Sequence, residues 1–356
     1  MPSPSSSHQL ASLPYSNCLH TTLPSSRARL RSIPKSNNNI TTMVVPVIDF
    51  SKLDGAERAE TLAQIANGCE EWGFFQLVNH GIPLELLERV KKVSSDCYRL
   101  REAGFKASEP VRTLEALVDA ERRGEVVAPV DDLDWEDIFY IHDGCQWPSE
   151  PPAFKETMRE YRAELRKLAE RVMEAMDENL GLARGTIKDA FSSGGRHEPF
   201  FGTKVSHYPP CPRPDLITGL RAHTDAGGVI LLFQDDRVGG LEVLKDGQWT
   251  DVQPLAGAIV VNTGDQIEVL SNGRYRSAWH RVLPMRDGNR RSIASFYNPA
   301  NEATISPAAV QASGGDAYPK YVFGDYMDVY AKHKFQAKEP RFEAVKVAAP
   351  KSSPAA

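Results

Sequence analysis

The chain has 356 residues, 41% hydrophobic and 25% charged, figures that suit a globular enzyme with a well-filled core. A formal net charge of -5 leaves no broad basic surface for phosphate backbones, so nucleic acid is not an expected partner. No uncharged apolar run approaches the roughly eighteen residues that a spanning helix needs, so a soluble protein without membrane contact is expected. Oligomeric state is not encoded in these quantities and is left unknown. The cysteines Cys18, Cys69, Cys97, Cys145 and Cys211 are scattered and form no Cys-x-x-Cys pair. That predicts neither a disulfide framework nor a thiolate zinc site, but free buried thiols in a reducing, cytoplasmic setting.

Residues 1–42 contain no Asp or Glu, many Ser, Pro and Asn, and the basic residues Arg27, Arg29, Arg31 and Lys35. This extension is expected not to fold. It is similar to an organelle transit peptide, although Pro24 and Pro34 interrupt any helix. Met43 stands directly before Val44, where folded composition begins, so an upstream in-frame translation is the other reading and organelle import the minority one.

From 57 to 71 the residues Leu62, Ile65, Ala66 and Cys69 recur at helical spacing, which predicts a helix packed on one face. Residues 73–78 read as a short strand, 79–83 as a turn, and a second helix begins near Leu84 with Pro83 at its start. Residues 108–134, with Pro110 and Pro129, predict a helix-plus-loop connector. A long helix over 154–180 carries Met158, Tyr161, Leu165, Leu168, Val172 and Met176 on one stripe, the pattern of a buttress. Beyond Phe200 come short β-type segments at 228–233, 241–244, 258–262, 266–270 and 292–297, separated by turn residues. The expected fold is α+β, mainly β: an antiparallel sandwich or jelly roll wrapped by amino-terminal helices and the long helix. The expected division is a helical and strand region at 43–150, the long helix and core at 151–325, a carboxy-terminal segment at 326–345 and a disordered tail at 346–356.

His223-Thr224-Asp225 places two ligands at i and i+2, which on a strand project to one side. His280 lies in a later segment, 276–282, that reads as a strand able to return alongside the first. Two imidazoles and a carboxylate occupy one face of an octahedral ion and leave three positions open, the arrangement of non-haem Fe(II) oxygenases. The same set also suits hydrolytic zinc. Arg290 and Ser292 share a strand face and offer a guanidinium and a hydroxyl to a carboxylate, which favours iron with an acidic substrate or 2-oxo-acid cosubstrate. His142, His197 and His207 lack partners at ligand spacing and are not assigned to metal.

The ordered set His223-x-Asp225, His280 and Arg290-x-Ser292 resembles the plant 2-oxoglutarate- and Fe(II)-dependent dioxygenase superfamily along nearly all of 44–345. Trp72-Gly73-Phe74-Phe75 and Tyr208-Pro209-Pro210-Cys211-Pro212 belong to the superfamily at large. Ala226-Gly227-Gly228 and Lys338-Glu339-Pro340-Arg341-Phe342-Glu343 are similar more particularly to the ethylene-forming branch, the 1-aminocyclopropane-1-carboxylate oxidases. That resemblance implies a double-stranded β-helix core. It also implies oxidation of a cyclopropane amino acid by dioxygen to ethylene, cyanide and carbon dioxide, with ascorbate as reductant and carbon dioxide or bicarbonate as activator. By the same resemblance Lys204 and Arg221 are expected to organise anions near the iron, with Tyr208 in support, and Gln234 and Phe296 to line the pocket. Lys338 and Arg341 are expected to orient ascorbate or bicarbonate from a tail folded over the site, so that truncation after Phe335 abolishes turnover and leaves the iron site formed. The alternative is a 2-oxoglutarate-dependent hydroxylase or desaturase of a flavonoid or hormone, with Arg290 and Ser292 on 2-oxoglutarate.

Overall fold

A computed structural model describes residues 43–309 and 315–348; the extension at 1–42, with Cys18, and residues 349–356 lie outside the described residues. In chain order the elements are β1 (Val47–Asp49), α1 (Arg58–Asn67), β2 (Phe74–Val78), α2 (Leu84–Lys106), α3 (Glu109–Arg122), β3 (Val130–Asp134), β4 (Asp137–Ile141), α4 (Phe154–Asn179) and α5 (Thr186–Ser192). There follow β5 (Phe200–Tyr208), β6 (Ile217–Thr218), β7 (Leu220–His223), β8 (Val229–Gln234), β9 (Leu241–Lys245), β10 (Gln248–Asp251), β11 (Ile259–Thr263), α6 (Asp265–Leu270) and β12 (His280–Val282). The chain continues through β13 (Arg290–Asn298), β14 (Thr304–Ile305), β15 (Tyr321–Val322), α7 (Phe323–His333) and α8 (Glu339–Ala348).

The major sheet runs β1-β2-β11-β8-β13-β5-β4 and the minor one β10-β9-β12-β7, together the jelly-roll core. Period-2 alternation gives the major sheet two different faces. Phe75, Leu77, Phe201, Val205, Leu231, Phe233, Val261, Ile293 and Tyr297 belong to the same buried cluster as Met158, Tyr161, Leu165, Leu168, Val172 and Met176 of α4. The predicted helix stripe is thus the surface on which the sheet rests. The opposite face of the sheet meets the minor sheet, where Phe74, Val260, Leu220, Leu241, Val243 and Val282 make a smaller core. One apolar layer holds the buttress and the other leaves room, at its end, for the polar cluster described below.

Gly73 explains part of the Trp-Gly-Phe-Phe motif. It has φ +65, and a Cβ there would run into the Arg276 carbonyl, so the turn from the helical end of α1 into β2 needs glycine. Pro110 sits in the first turn of α3, where a missing N–H costs nothing.

Several expectations are corrected. Residues 266–270 are not a strand: Asp265–Leu270 forms α6, all six residues buried. A short apolar run does not separate a buried strand from a buried helix by periodicity, and here polar ends settle it, with Gln266 Nε2 donating to the Ala226 carbonyl (2.7 Å). Only His280–Val282 of the predicted 276–282 strand pairs as one. The tail expected to be disordered from 346 is helical through Ala348. Cys69, Cys97 and Cys211 are free and buried as expected, whereas Cys145 is only half-buried, in a turn where it accepts from the His142 N–H (3.2 Å). No helix among the described residues is long and apolar enough to cross a membrane.

Candidate metal centre

β7 ends on His223 and β12 begins on His280, and the antiparallel register sets these two residues opposite one another. Their rings lie 4.3 Å apart between centroids. Asp225 is not on the strand. It stands in the loop just after β7, and its carboxylate oxygens approach His223 Nε2 at 3.6 Å and His280 Nε2 at 3.5 Å. One ligand atom from each residue lies within 4.8 Å of the others, and all three residues are buried.

The surroundings hold these donors in metal-binding form. His223 Nδ1 donates to the Arg221 carbonyl (2.8 Å) and His280 Nδ1 to the Ala278 carbonyl (3.1 Å), which leaves each Nε2 lone pair free. Burial, followed by the charges of His280, Lys334 and Lys204, lowers the His223 pKa well below the usual histidine value, so the ring is neutral. Asn262 Nδ2 donates to Asp225 Oδ2 (2.8 Å) and fixes the carboxylate. Two imidazoles that present Nε2 and one oriented carboxylate, with no fourth protein ligand grouped with them among the described residues, fit Fe(II) with open positions.

Register explains which further residues share this chamber, because directly opposed residues in neighbouring strands project to the same face. Arg290 opposes Tyr208, Ser292 opposes both Ser206 and Gln234, Ala294 opposes Lys204, and Phe296 opposes Ile230. Lys204 in turn opposes Tyr140, and Asn262 opposes Ile230 and Phe74. Lys204, Tyr208, Gln234, Arg290, Ser292 and Phe296 therefore lie on one face, the one turned toward the minor sheet, with Phe296 half-buried. Arg290 is 1% exposed. Its Nη1 donates to Ser292 Oγ (3.0 Å), its Nη2 to Gln234 Oε1 (3.0 Å), and the guanidinium lies 5.1 Å from the Tyr208 ring centre. Among the described residues no carboxylate is within ion-pair distance of it, and both Arg290 Nε and Gln234 Nε2 are buried without a partner. A buried guanidinium so placed has the chemistry to accept an anionic group.

The other cations differ. Lys204 Nζ binds both oxygens of Glu136 at 2.9 Å. Arg221 makes a two-point pair with Asp134, Nε at 3.0 Å and Nη2 at 3.2 Å, and lies 3.8 Å from the Phe335 ring centre. Asp134 and Glu136 are at i and i+2 around Trp135, whose indole points into a separate cluster and donates to the Pro209 carbonyl (2.8 Å). Lys334, half-buried, lies close to the chamber, its Nζ 5.0 Å from the centre of the Phe335 ring that faces His223, and desolvation followed by Lys204 lowers its pKa. Asp134, Glu136, Asn262, Lys334 and Phe335 escaped the sequence reasoning. The Asp-x-Glu spacing was the one local signal available.

Lys338 and Arg341 are both engaged by protein partners: Lys338 Nζ is held by Glu268 Oε2 (2.6 Å) and the Ser277 carbonyl (2.9 Å). Arg341, 1% exposed, is held by Thr224 Oγ1 (2.7 Å) and Asp265 Oδ2 (3.4 Å). Thr224 lies between the two ligands, so Arg341 is bonded directly to the metal loop.

Residues 45–163 match the family described as "non-haem dioxygenase in morphine synthesis N-terminal", and residues 200–299 match the 2OG-Fe(II) oxygenase superfamily. The chain is 70% identical over 311 residues to a 1-aminocyclopropane-1-carboxylate oxidase of Musa acuminata, covering 85% of this chain and 99% of the relative. It is 65% identical over 312 residues, with the same coverage, to 1-aminocyclopropane-1-carboxylate oxidase 5 of Arabidopsis thaliana. Among solved structures, JOX2 in complex with 2OG, Fe and JA superposes with a TM-score of 0.66 at 33% identity, over 89% of this chain and 95% of that one. A buried His-Asp-His cluster able to hold a metal ion inside a jelly roll, together with identity of this order over 99% of the first relative, shows that the chain belongs to the 1-aminocyclopropane-1-carboxylate oxidase family of the 2OG-Fe(II) oxygenase superfamily.

Proposed function

We propose that the protein oxidises 1-aminocyclopropane-1-carboxylate with dioxygen to ethylene, cyanide and carbon dioxide, the last step of ethylene biosynthesis. Ascorbate is the reductant and carbon dioxide or bicarbonate the activator. The observation that carries this reading is the 70% identity to a 1-aminocyclopropane-1-carboxylate oxidase over 99% of that relative. The free thiols of the four described cysteines agree with a reducing, cytoplasmic setting.

His223, Asp225 and His280 would hold Fe(II), which would supply the dioxygen activation and one-electron chemistry that side chains lack. The protein supplies placement. Arg290, Ser292 and Gln234 offer a buried, fixed set of polar groups to a carboxylate, and an oriented substrate needs less reorganisation to react. Phe296 and Tyr208 shape the wall beside that anchor. The Lys204–Glu136 pair is neutral as a unit, so Lys204 serves an incoming anion by donating a hydrogen bond from an ammonium whose charge is already balanced. Arg221, pinned by Asp134 and stacked on Phe335, holds the edge of the chamber next to His223.

A second reading, a 2-oxoglutarate-dependent hydroxylase, draws on the solved relatives that hold 2OG, including JOX2. The same Arg290 and Ser292 would then bind 2-oxoglutarate. Headspace gas analysis separates the two. Protein given Fe(II), ascorbate, bicarbonate and the cyclopropane amino acid is expected to release ethylene without 2-oxoglutarate. An obligate need for 2-oxoglutarate, with succinate released, would transfer the assignment to the second reading.

A further inference from the structure

The carboxy-terminal helices reach every segment that carries a metal ligand. Thr224, fully buried between His223 and Asp225, accepts at its carbonyl from Tyr330 Oη of α7 (2.7 Å) and at its hydroxyl from Arg341 Nη2 of α8 (2.7 Å). Asp265, whose N–H donates to the Asp225 carbonyl (2.8 Å), accepts at Oδ2 from Tyr326 Oη of α7 (2.6 Å) and from Arg341 Nη1 (3.4 Å). The third ligand is reached through Ser277: Lys338 donates to its carbonyl (2.9 Å) and to Glu268 Oε2 (2.6 Å), the oxygen that also takes the Ser277 N–H (2.7 Å). Phe335 completes the set, its ring 6.2 Å from that of His223 and edge-on to it.

These contacts do not belong to a solvated tail. Arg341 and Asp265 have side chains with no exposed surface at all, and a guanidinium is kept in such a place only when its partners are fixed with it. Arg341 Nη2 holds Thr224, in the loop that spaces His223 and Asp225, and its Nη1 holds Asp265, whose N–H is bonded to that loop. An anion entering beside the iron would find both already committed.

We propose that α8, with Lys338 just before it, is a clamp on the metal site: Arg341 acts through Thr224 and Asp265, and Lys338 through Ser277, as positioning residues for the three iron ligands, so that docking of α8 and metal binding favour each other. The coupling is reciprocal. If the docked helix holds the ligands in place, the bound metal must hold the helix docked by the same factor. Truncation after Phe335 then weakens metal binding itself, in place of leaving the iron site formed.

The test uses the full-length apoprotein without substrate, so its outcome does not depend on which molecule is oxidised. Mn(II), a redox-stable probe of the same ligand set, is titrated by calorimetry into wild type, Arg341→Ala and Thr224→Val. Losing outer partners of metal ligands costs about 10- to 100-fold in metal affinity. Arg341→Ala, which removes bonds to the neighbours of the ligands and not to the ligands themselves, is expected at the lower end of that range, about 10-fold. Thr224→Val, which keeps shape and removes only the hydroxyl acceptor, is expected to lose several-fold and serves if Arg341→Ala does not fold. In parallel, amide exchange of α8 in wild type should slow on adding Mn(II), and should not respond in His223→Ala. Metal affinity unchanged in the folded variants, or α8 exchange indifferent to metal, overturns the clamp. Absence of stoichiometric Mn(II) binding by wild type overturns the metal assignment together with it.

Discussion

Replacing Glu136 with glutamine keeps the size of the side chain and an acceptor oxygen but removes the charge that Lys204 rests against. Burial alone pulls Lys204 toward its neutral form; the Glu136 carboxylate outweighs burial and holds the pKa above the ordinary lysine value. Both side chains are only 9% exposed, so solvent screens the pair little. Breaking one partner of a buried pair costs about 3–5 kcal/mol, and the retained amide oxygen places glutamine at the lower end, about 3 kcal/mol. At about 2 °C per kcal/mol for a chain of this size, the Tm at neutral pH falls by roughly 6 °C.

The pH dependence has a definite sign. Wild-type Lys204, with its raised pKa, contributes stability that is complete below the unfolded lysine value of about 10.4 and is lost only above it. In Glu136→Gln desolvation dominates and the folded pKa drops below the unfolded one. The charged lysine then burdens the fold fully below its folded pKa, and the burden fades as pH rises toward about 10.4. Thermal melts of both proteins from neutral to alkaline pH should therefore show a gap that narrows with rising pH, and the rate profile of the variant should fall at lower pH than that of wild type. Equal melting temperatures, or a gap constant across the range, would refute the argument.

Asn262→Leu removes the donor to Asp225 Oδ2 and should weaken Fe(II) or Mn(II) binding about 10- to 100-fold by titration, with little change in the far-ultraviolet spectrum. Arg290→Lys keeps charge but not the two-point geometry toward Ser292 and Gln234. It should raise the substrate KM by roughly 10-fold or more, the worth of about 1.5–3 kcal/mol for a hydrogen bond to a charged group, while metal affinity holds. Gly227→Ala would drive a Cβ into the Asn298 amide that accepts the Gly228 N–H; overpacking of this kind costs about 1–3 kcal/mol, read by denaturant unfolding. Leu165→Ala, in the α4 stripe and fully buried, should cost about 2–5 kcal/mol in the same assay and leave KM unaltered.

What could be read from the chain beforehand was what repeats locally. The α4 stripe, the alternating strands and the His-x-Asp and Arg-x-Ser spacings each announce a face, and β13 does carry Arg290, Ser292 and Phe296 on one side. What could not be read depends on which strands become neighbours. Asn262 meets Asp225 only because β11 lies beside β8 in the major sheet and β7 runs in the facing one. Glu136 meets Lys204 only because β4 pairs with β5. Arg341 looked like a surface charge in a charged tail, since nothing local says that Asp265, Thr224 and Tyr326 wait to enclose it. The Ala226-Gly227-Gly228 run, read only as a likeness, now has a mechanical cause: Asn298 and Phe191 crowd the two glycines, leaving no space for side chains behind the metal loop.

The most direct test titrates Fe(II) from zero to beyond one equivalent into metal-free protein and measures ethylene from 1-aminocyclopropane-1-carboxylate in air, with ascorbate and bicarbonate present and 2-oxoglutarate absent. The account predicts a rate that climbs linearly, breaks at one iron per chain, and stays at background throughout for Asp225→Ala. A rate indifferent to iron, an undiminished Asp225→Ala, or ethylene only when 2-oxoglutarate is supplied would contradict it.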